Sequence, residues 1–180
     1  MTDKKWKLLQ SKPVFESKFL SVFENDYELP DGTEGKGYYH LSRPHYVLIV
    51  AIDTNNQLVV ERNYRRGVDD FVYELPAGWI DEGESPQQAA ERELKEETGY
   101  TGEVKILGEL YTQPAFCSMK AFVGFARIDS AQKGAQKLES DEHIDCELIP
   151  IEKIREMINN GEIKDMGFLS ALQMAEELVK

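Results

Sequence analysis

The residues whose types and spacing could do chemistry are Glu84, Arg92, Glu93, Glu96 and Glu97. On a helical wheel at about 100° per residue, with Glu93 at zero, Glu97 falls about 40° to one side and Glu96 about 60° to the other. Three carboxylates therefore share one narrow face. Ala90 and Leu94 fall beside Glu97 as an apolar stripe, and Gln88, Glu91 and Lys95 lie on the far side. Acids at i, i+3 and i+4 repel one another, and these border a face that must be buried, where unpaired charge is expensive. A hard divalent cation resolves both problems, since Mg²⁺ takes carboxylate oxygens together with water and phosphate. Arg92 can pair along the helix with Glu96 or reach back to Glu84. An isolated Glu-rich helix would usually be a solvated charged face, so the residues around it must decide.

The helix that carries these acids has legible ends. Ser85 is a good N-cap, Pro86 suits the first helical position, and Gln88 completes a capping box with Ser85. Gly99 stands where a C-terminal glycine is expected. Before it, a glycine-rich acidic loop runs from Pro76 to Glu84. Residues 6–42 alternate as antiparallel strands, with Pro30-Asp31-Gly32-Thr33 as a hairpin turn. Tyr46 to Ile52 reads as a buried strand, 53–56 as a turn and 57–61 as the returning strand. Shorter strands are expected near 71–75, 103–112, 119–128 and 144–150, and helices near 151–160 and 167–179. Strands first, one helix mid-chain and helices last predict an α/β or α+β sandwich with helices packed on sheet.

Residues 78–100 match the Nudix box: Gly78, five residues, Glu84, seven residues, Arg92-Glu93-Leu94, one residue, Glu96-Glu97, one residue, Gly99 and an apolar residue. Tyr100 is aromatic where the pattern usually has an aliphatic. From average residue usage, a chance match is on the order of one in a million. The chain thus resembles the Nudix hydrolases. The resemblance implies their α/β/α sandwich with a mixed sheet and hydrolysis of a nucleoside diphosphate linked to another group. By similarity, Glu93 and Glu97 bind Mg²⁺ (or Mn²⁺) directly, and Glu96 helps ligate or positions water. The carbonyl of Ala77 is a further ligand, and Glu84 with Arg92 braces loop against helix.

Beyond the box, Arg62-Asn63-Tyr64-Arg65-Arg66, Glu74-Leu75-Pro76-Ala77-Gly78 and Pro114 resemble the ADP-ribose pyrophosphatase branch. So do Asp141-Glu142-His143-Ile144 and Gly161-Glu162-Ile163-Lys164-Asp165. This branch places a catalytic loop glutamate at Glu142, with Glu139 as runner-up for the base that deprotonates water. Its N-terminal stranded segment swaps between two subunits, which implies a homodimer. The expected organisation is residues 1–42 as a dimerisation element and 43–180 as the hydrolase domain. One stretch departs. After Pro114 the branch carries glycine and then Ser-x-Glu, whereas this chain reads Ala115-Phe116-Cys117-Ser118-Met119-Lys120. The lost acid points to relaxed sugar discrimination, with ADP-glucose or GDP-mannose accepted beside ADP-ribose.

In a chain of net charge −12, three arginines within five residues (Arg62, Arg65, Arg66) are unusual. Guanidinium forks match phosphate oxygens, so Arg65 is the leading pyrophosphate contact, with Arg62 beside it and Arg43 a weaker candidate. The same net charge argues against a nucleic-acid partner. The longest apolar run, 46–52, is too short to span a membrane, and no apolar leader opens the chain, so a cytoplasmic protein is expected. Phe15, Phe19, Tyr38 and Tyr39 are expected mostly in sheet or dimer core, with one or two free to stack on a base. His40, His45 and His143 are read as structural or surface residues. Cys117 and Cys146 are read as packing residues rather than nucleophiles. Within the family, hydrolases of nucleoside triphosphates, dinucleoside polyphosphates and coenzyme A compete with the nucleotide-sugar reading. A non-catalytic ADP-ribose-binding Nudix module is the second class. Such modules usually lose a box acid or carry an added DNA-binding domain, whereas all the box acids are present here and the length leaves no room for another domain.

Overall fold

A computed structural model of the chain describes residues 4–140 and 143–179. It divides into two compact units: Met1–His45 with Tyr111–Lys120, and Tyr46–Leu110 with Ala121–Lys180.

The first unit holds a three-stranded antiparallel sheet, β1 (Lys7–Glu16), β2 (Ser21–Glu28) and β3 (Glu34–Ser42), in that order. The β2–β3 turn closes where Asp31-Gly32 predicts it, with Leu29 N donating to Thr33 O at 2.8 Å and Gly32 at φ 87°. Trp6, Tyr27 and Tyr38 pack edge to face, with ring centroids 5.3–5.9 Å apart. The segment 111–120 joins this unit through a Leu41–Cys117 bridge, Leu41 N donating to Phe116 O at 2.7 Å. Every residue of β1 is exposed, and so are Phe15, Phe19, Tyr38 and Tyr39. A sheet core is therefore not where these four aromatics lie within one chain. Three strands by themselves have little core.

The second unit is a three-layer sandwich. Its main sheet runs β10-β5-β4-β9-β8, made of β10 (Asp145–Pro150), β5 (Gln57–Arg65), β4 (Tyr46–Ile52), β9 (Lys120–Arg127) and β8 (Val104–Tyr111). β6 (Asp70–Glu74) pairs with β5, and β7 (Ala77–Trp79) with β4. β4 runs parallel to β9 and antiparallel to β5 and β7, so the sheet is mixed, as expected. Side chains alternate across a strand, and β4 shows what that does here. Val47, Ile49 and Ala51 pack with Ala89, Ala90 and Leu94 of helix α1 (Pro86–Thr98). Leu48, Val50 and Ile52 pack with Ile151, Ile154 and Met157 of α2 (Ile151–Asn159) and Phe168 and Ala171 of α3 (Met166–Met174). A strand apolar at every position is what a sheet covered on both faces requires.

Three boundaries differ from the sequence reading. β5 runs on to Arg65, because a turn at 65–69 (Asp69 at φ 55°) returns the chain as β6, which pairs with it. The acidic loop is not wholly irregular, since residues 77–79 pair with β4 as β7. The last helix stops at Met174 and tightens into a 3-10 turn at Glu176–Leu178, where Leu178 N donates to Ala175 O at 2.8 Å. This is a common way to satisfy terminal carbonyls.

Candidate active site

Helix α1 is built as its sequence implies. Ser85 caps it, the Ser85–Gln88 capping box closes in both directions, and Gly99 ends it in the left-handed region at φ 76°. Ala89, Ala90 and Leu94 bury one stripe and fix its rotation. That rotation turns the acids toward β7. Glu97 is almost fully buried, and its Oε2 accepts from the Ala77 amide at 2.9 Å. The Glu93 carboxylate lies against Gly78, where a Cβ would come within 1.9 Å of the Glu93 Cδ. A side chain at this glycine would displace the Glu93 carboxylate, whereas its backbone angle is ordinary.

Arg92 ties loop, strand and helix together. Its Nε and Nη2 donate to the two Glu84 oxygens at 3.0 and 2.9 Å, a bidentate fork. Nη2 also donates to the Trp79 carbonyl at 2.9 Å, and Nη1 to Glu93 at 2.6 Å and Glu96 at 3.4 Å. The fork holds the Glu84 carboxyl below the usual glutamate range, and hydrogen bonding to Glu84 raises Arg92 above its ordinary value. Glu84 also accepts from Asp81 N at 3.2 Å, closing the loop on itself. The pairings of Arg92 with Glu84 and Glu96 match the two that spacing allowed.

The residues expected to hold Mg²⁺ are therefore adjacent: Glu93 and Glu97 face β7, with Ala77 and Gly78 beneath them and Glu96 at the edge. The donor set is all hard oxygen, which suits Mg²⁺ or Mn²⁺, and Gly78 leaves a cradle that a side chain would fill. Among the described residues, no three His, Cys, Asp or Glu side chains are already gathered as a ligand set. Arg92 engages Glu93 and Glu96, and the Ala77 amide engages Glu97.

The remaining candidates fall in several places. Arg65 stands at the end of β5, its Nε donating to Glu74 at 2.7 Å, and Arg62 lies 4.2 Å from the Phe71 ring centroid. Arg43 belongs to the first unit, where Phe19, Leu20, Leu41, Arg43, Gln113, Cys117 and Met119 line a cavity of about 380 Å³. Pro114 lies in the segment that forms one wall of that cavity. Glu139 is exposed in the stretch before β10, and Glu142 lies outside the described residues. His45 accepts from Lys120 N at 3.2 Å, a structural role. Burial pushes the Cys146 thiol up to about 11, which suits a packing residue.

Sequence reasoning missed Lys137 and Gln136. Lys137 N donates to Glu96 O at 2.7 Å and its Nζ to Glu96 Oε1 at 3.4 Å, while Gln136 Nε2 donates to Glu97 O. These contacts join residues about forty positions apart, and no local pattern announces them.

An acid-bearing helix thus lies over a glycine strand on a mixed sheet and is braced by an arginine fork. Comparison with known proteins is specific. A NUDIX domain family model matches residues 42–169. The ADP-ribose pyrophosphatase of Bacillus subtilis is 27% identical, over 93% of this chain and 90% of that protein. A methanol dehydrogenase activator of Bacillus methanolicus is 29% identical over the same shares. The crystal structure of an ADP compounds hydrolase superposes with a TM-score of 0.85 at 26% identity, covering 99% of this chain and 96% of that one. The chain belongs to the Nudix hydrolase family.

Proposed function

We propose that this enzyme is a Mg²⁺-dependent pyrophosphatase of ADP-ribose and nucleoside diphosphate hexoses, releasing a nucleoside monophosphate and a sugar phosphate. The observation that carries the reading is the carboxylate set of α1, seated on Gly78 and braced by Arg92 and Glu84. Glu93, Glu97, Glu96 and the Ala77 carbonyl would hold the cation. When bound, it would supply charge neutralisation at the pyrophosphate and an acidified water.

The chain's own groups do the rest. Glu97, anchored by the Ala77 amide, and Glu93, lying against Gly78, place two carboxylates beside the strand at 77–79, where a cation would be held. Arg65 offers its guanidinium to a phosphate oxygen, with Arg62 and Arg43 as further cationic contacts. Glu142 takes the proton of the attacking water, with Glu139 as the alternative base. In the first unit, Arg43 and Met119 line one cavity with Gln113, which supports a role for the segment after Pro114 in reading a substrate group. Met119 and Lys120 stand there in place of an acid, so discrimination between sugars is relaxed.

The name of the ADP-ribose pyrophosphatase, matched over nine-tenths of both chains, supports the nucleotide-sugar reading, and that of the ADP compounds hydrolase supports an ADP-containing substrate. The exposed β1 and the aromatics of the first unit support a homodimer in which a second copy covers them. Both cysteines are free thiols, which fits a cytoplasmic enzyme. Among the described residues, no helix is long and apolar enough to cross a membrane.

The test is incubation of purified protein and Mg²⁺ with ADP-ribose, ADP-glucose, GDP-mannose, a nucleoside triphosphate and coenzyme A, with products identified by chromatography. Expected are AMP and ribose 5-phosphate from ADP-ribose, with at least one hexose substrate cleaved at comparable kcat/KM. A nucleoside triphosphate or coenzyme A cleaved well above every nucleotide sugar would overturn the substrate assignment.

A further inference from the structure

Strand β5 carries Glu61, Asn63 and Arg65 at alternate positions, so the three stand on one face. Glu61 and Asn63 are buried, and Arg65 reaches solvent with its side chain about half exposed. Across the ladder, Glu74 of β6 is the register partner of Glu61. Asn63 Nδ2 donates to Glu74 Oε2 at 3.2 Å and to Glu61 Oε2 at 3.5 Å. The same Glu74 oxygen accepts from Arg65 Nε at 2.7 Å. A buried amide thus fixes a largely buried carboxylate, and the carboxylate fixes an arginine.

The atom that Glu74 takes is informative. Bound through Nε alone, a guanidinium keeps the edge carrying Nη1 and Nη2 available, and that edge can meet two oxygens of one anion. No acceptor among the described residues takes either terminal nitrogen of Arg65. Arg92, by contrast, spends two nitrogens on the two Glu84 oxygens. Glu74 is also three residues before Ala77, whose amide holds Glu97, so the arginine's anchor and the acid's anchor lie on one short stretch of chain.

We infer that Glu74, held by Asn63, is a positioning residue that fixes Arg65 so that its terminal nitrogens receive a phosphate of the nucleoside diphosphate substrate. The inference rests on the reading of Arg65 as a phosphate contact. An unanchored arginine at this exposed site would sample many rotamers, and binding would have to order them. Glu74 carries that ordering in advance.

The test is a double-mutant cycle on the full chain with Mg²⁺, using ADP-ribose kinetics and the affinity for ADP by calorimetry, with thermal melts alongside. Arg65→Ala should raise KM and weaken ADP by roughly 10–30-fold, with kcat changed less, as for a lost charge-assisted contact. Glu74→Ala should do much the same although it touches no substrate. Glu74→Gln, which keeps an acceptor for Arg65 Nε, should recover most of the loss. The double variant Arg65→Ala/Glu74→Ala should be no worse than Arg65→Ala alone. Multiplying losses, or a Glu74→Ala that lowers the melting temperature and leaves KM and ADP affinity unchanged, would overturn the positioning role. A harmless Arg65→Ala would instead remove the phosphate contact on which the inference rests. The ADP measurement needs no turnover, so an enzyme that cleaves no nucleotide sugar still reports on Glu74.

Discussion

Replacing Arg92 with alanine removes the group that holds three elements together, and the structure sets the size of the effect. The side chain makes two charge-assisted bonds to Glu84, one each to Glu93 and Glu96, and one to the Trp79 carbonyl. A hydrogen bond to a charged group is worth about 1.5–3 kcal/mol net. The Arg92 and Glu84 side chains are 29% and 16% exposed, so neither the small value of a surface pair nor the large value of a buried one applies. About 3 kcal/mol of lost stability at neutral pH is the resulting estimate. For a chain of this length, each kcal/mol moves the melting temperature by about 2–4 °C, so a drop of about 6–12 °C is expected by scanning calorimetry. Arg92→Lys keeps the charge but cannot span both Glu84 oxygens, and should fall about midway. The pH dependence is a sharper check. Arg92 holds the Glu84 carboxyl below its unfolded value, so this contribution is complete above the unfolded glutamate pKa of about 4.3. It disappears as pH falls through the lowered folded value. The gap between wild type and Arg92→Ala should therefore be constant from about pH 6 to 8 and shrink below about pH 4. A shift under about 2 °C at pH 7, or a gap that stays the same at pH 3.5, would refute the bracing role.

Other outcomes follow from the same geometry. Glu93→Gln and Glu97→Gln should each lower kcat by about two to three orders of magnitude with an unchanged circular dichroism spectrum, since the amide keeps an acceptor while the charge for Mg²⁺ is lost; near-normal activity in either would remove the metal assignment. Gly78→Ala puts a methyl into the space of the Glu93 carboxylate and should cost at least tenfold in kcat while the protein stays folded; wild-type kcat in this variant would show that Glu93 acts from another rotamer. Glu142→Gln should cut kcat with little change in KM; if Glu139→Gln does the damage and Glu142→Gln none, the base moves by three residues. Light scattering at micromolar concentration should give twice the 20.6 kDa chain mass, and a fully active monomer would contradict the dimer.

Much of this protein was legible before any coordinates, because the informative features are local. Helix α1 could be bounded by Ser85, Pro86, Gln88 and Gly99, since capping is a matter of residues three or four apart. The shared face of Glu93, Glu96 and Glu97 follows from helical periodicity alone. The β2–β3 turn and the doubly buried β4 follow equally from an Asp-Gly pair and an unbroken apolar run. What periodicity could not supply was the other side of each contact. That Glu97 is answered by the Ala77 amide, and that Gly78 is a space for Glu93, depends on β7 pairing with β4, which three residues of a glycine-rich loop do not announce. The turn at 65–69 placed Arg65 against Glu74 and gave it an anchor, where the sequence offered only a cluster of positive charge. The stapling of α1 by Gln136 and Lys137 joins positions about forty apart. Short-range hydrogen bonding and side-chain period are written in the sequence, whereas pairings across a sheet and between layers are set only when the whole core packs, and those pairings decide which neighbour each charged group of the site meets.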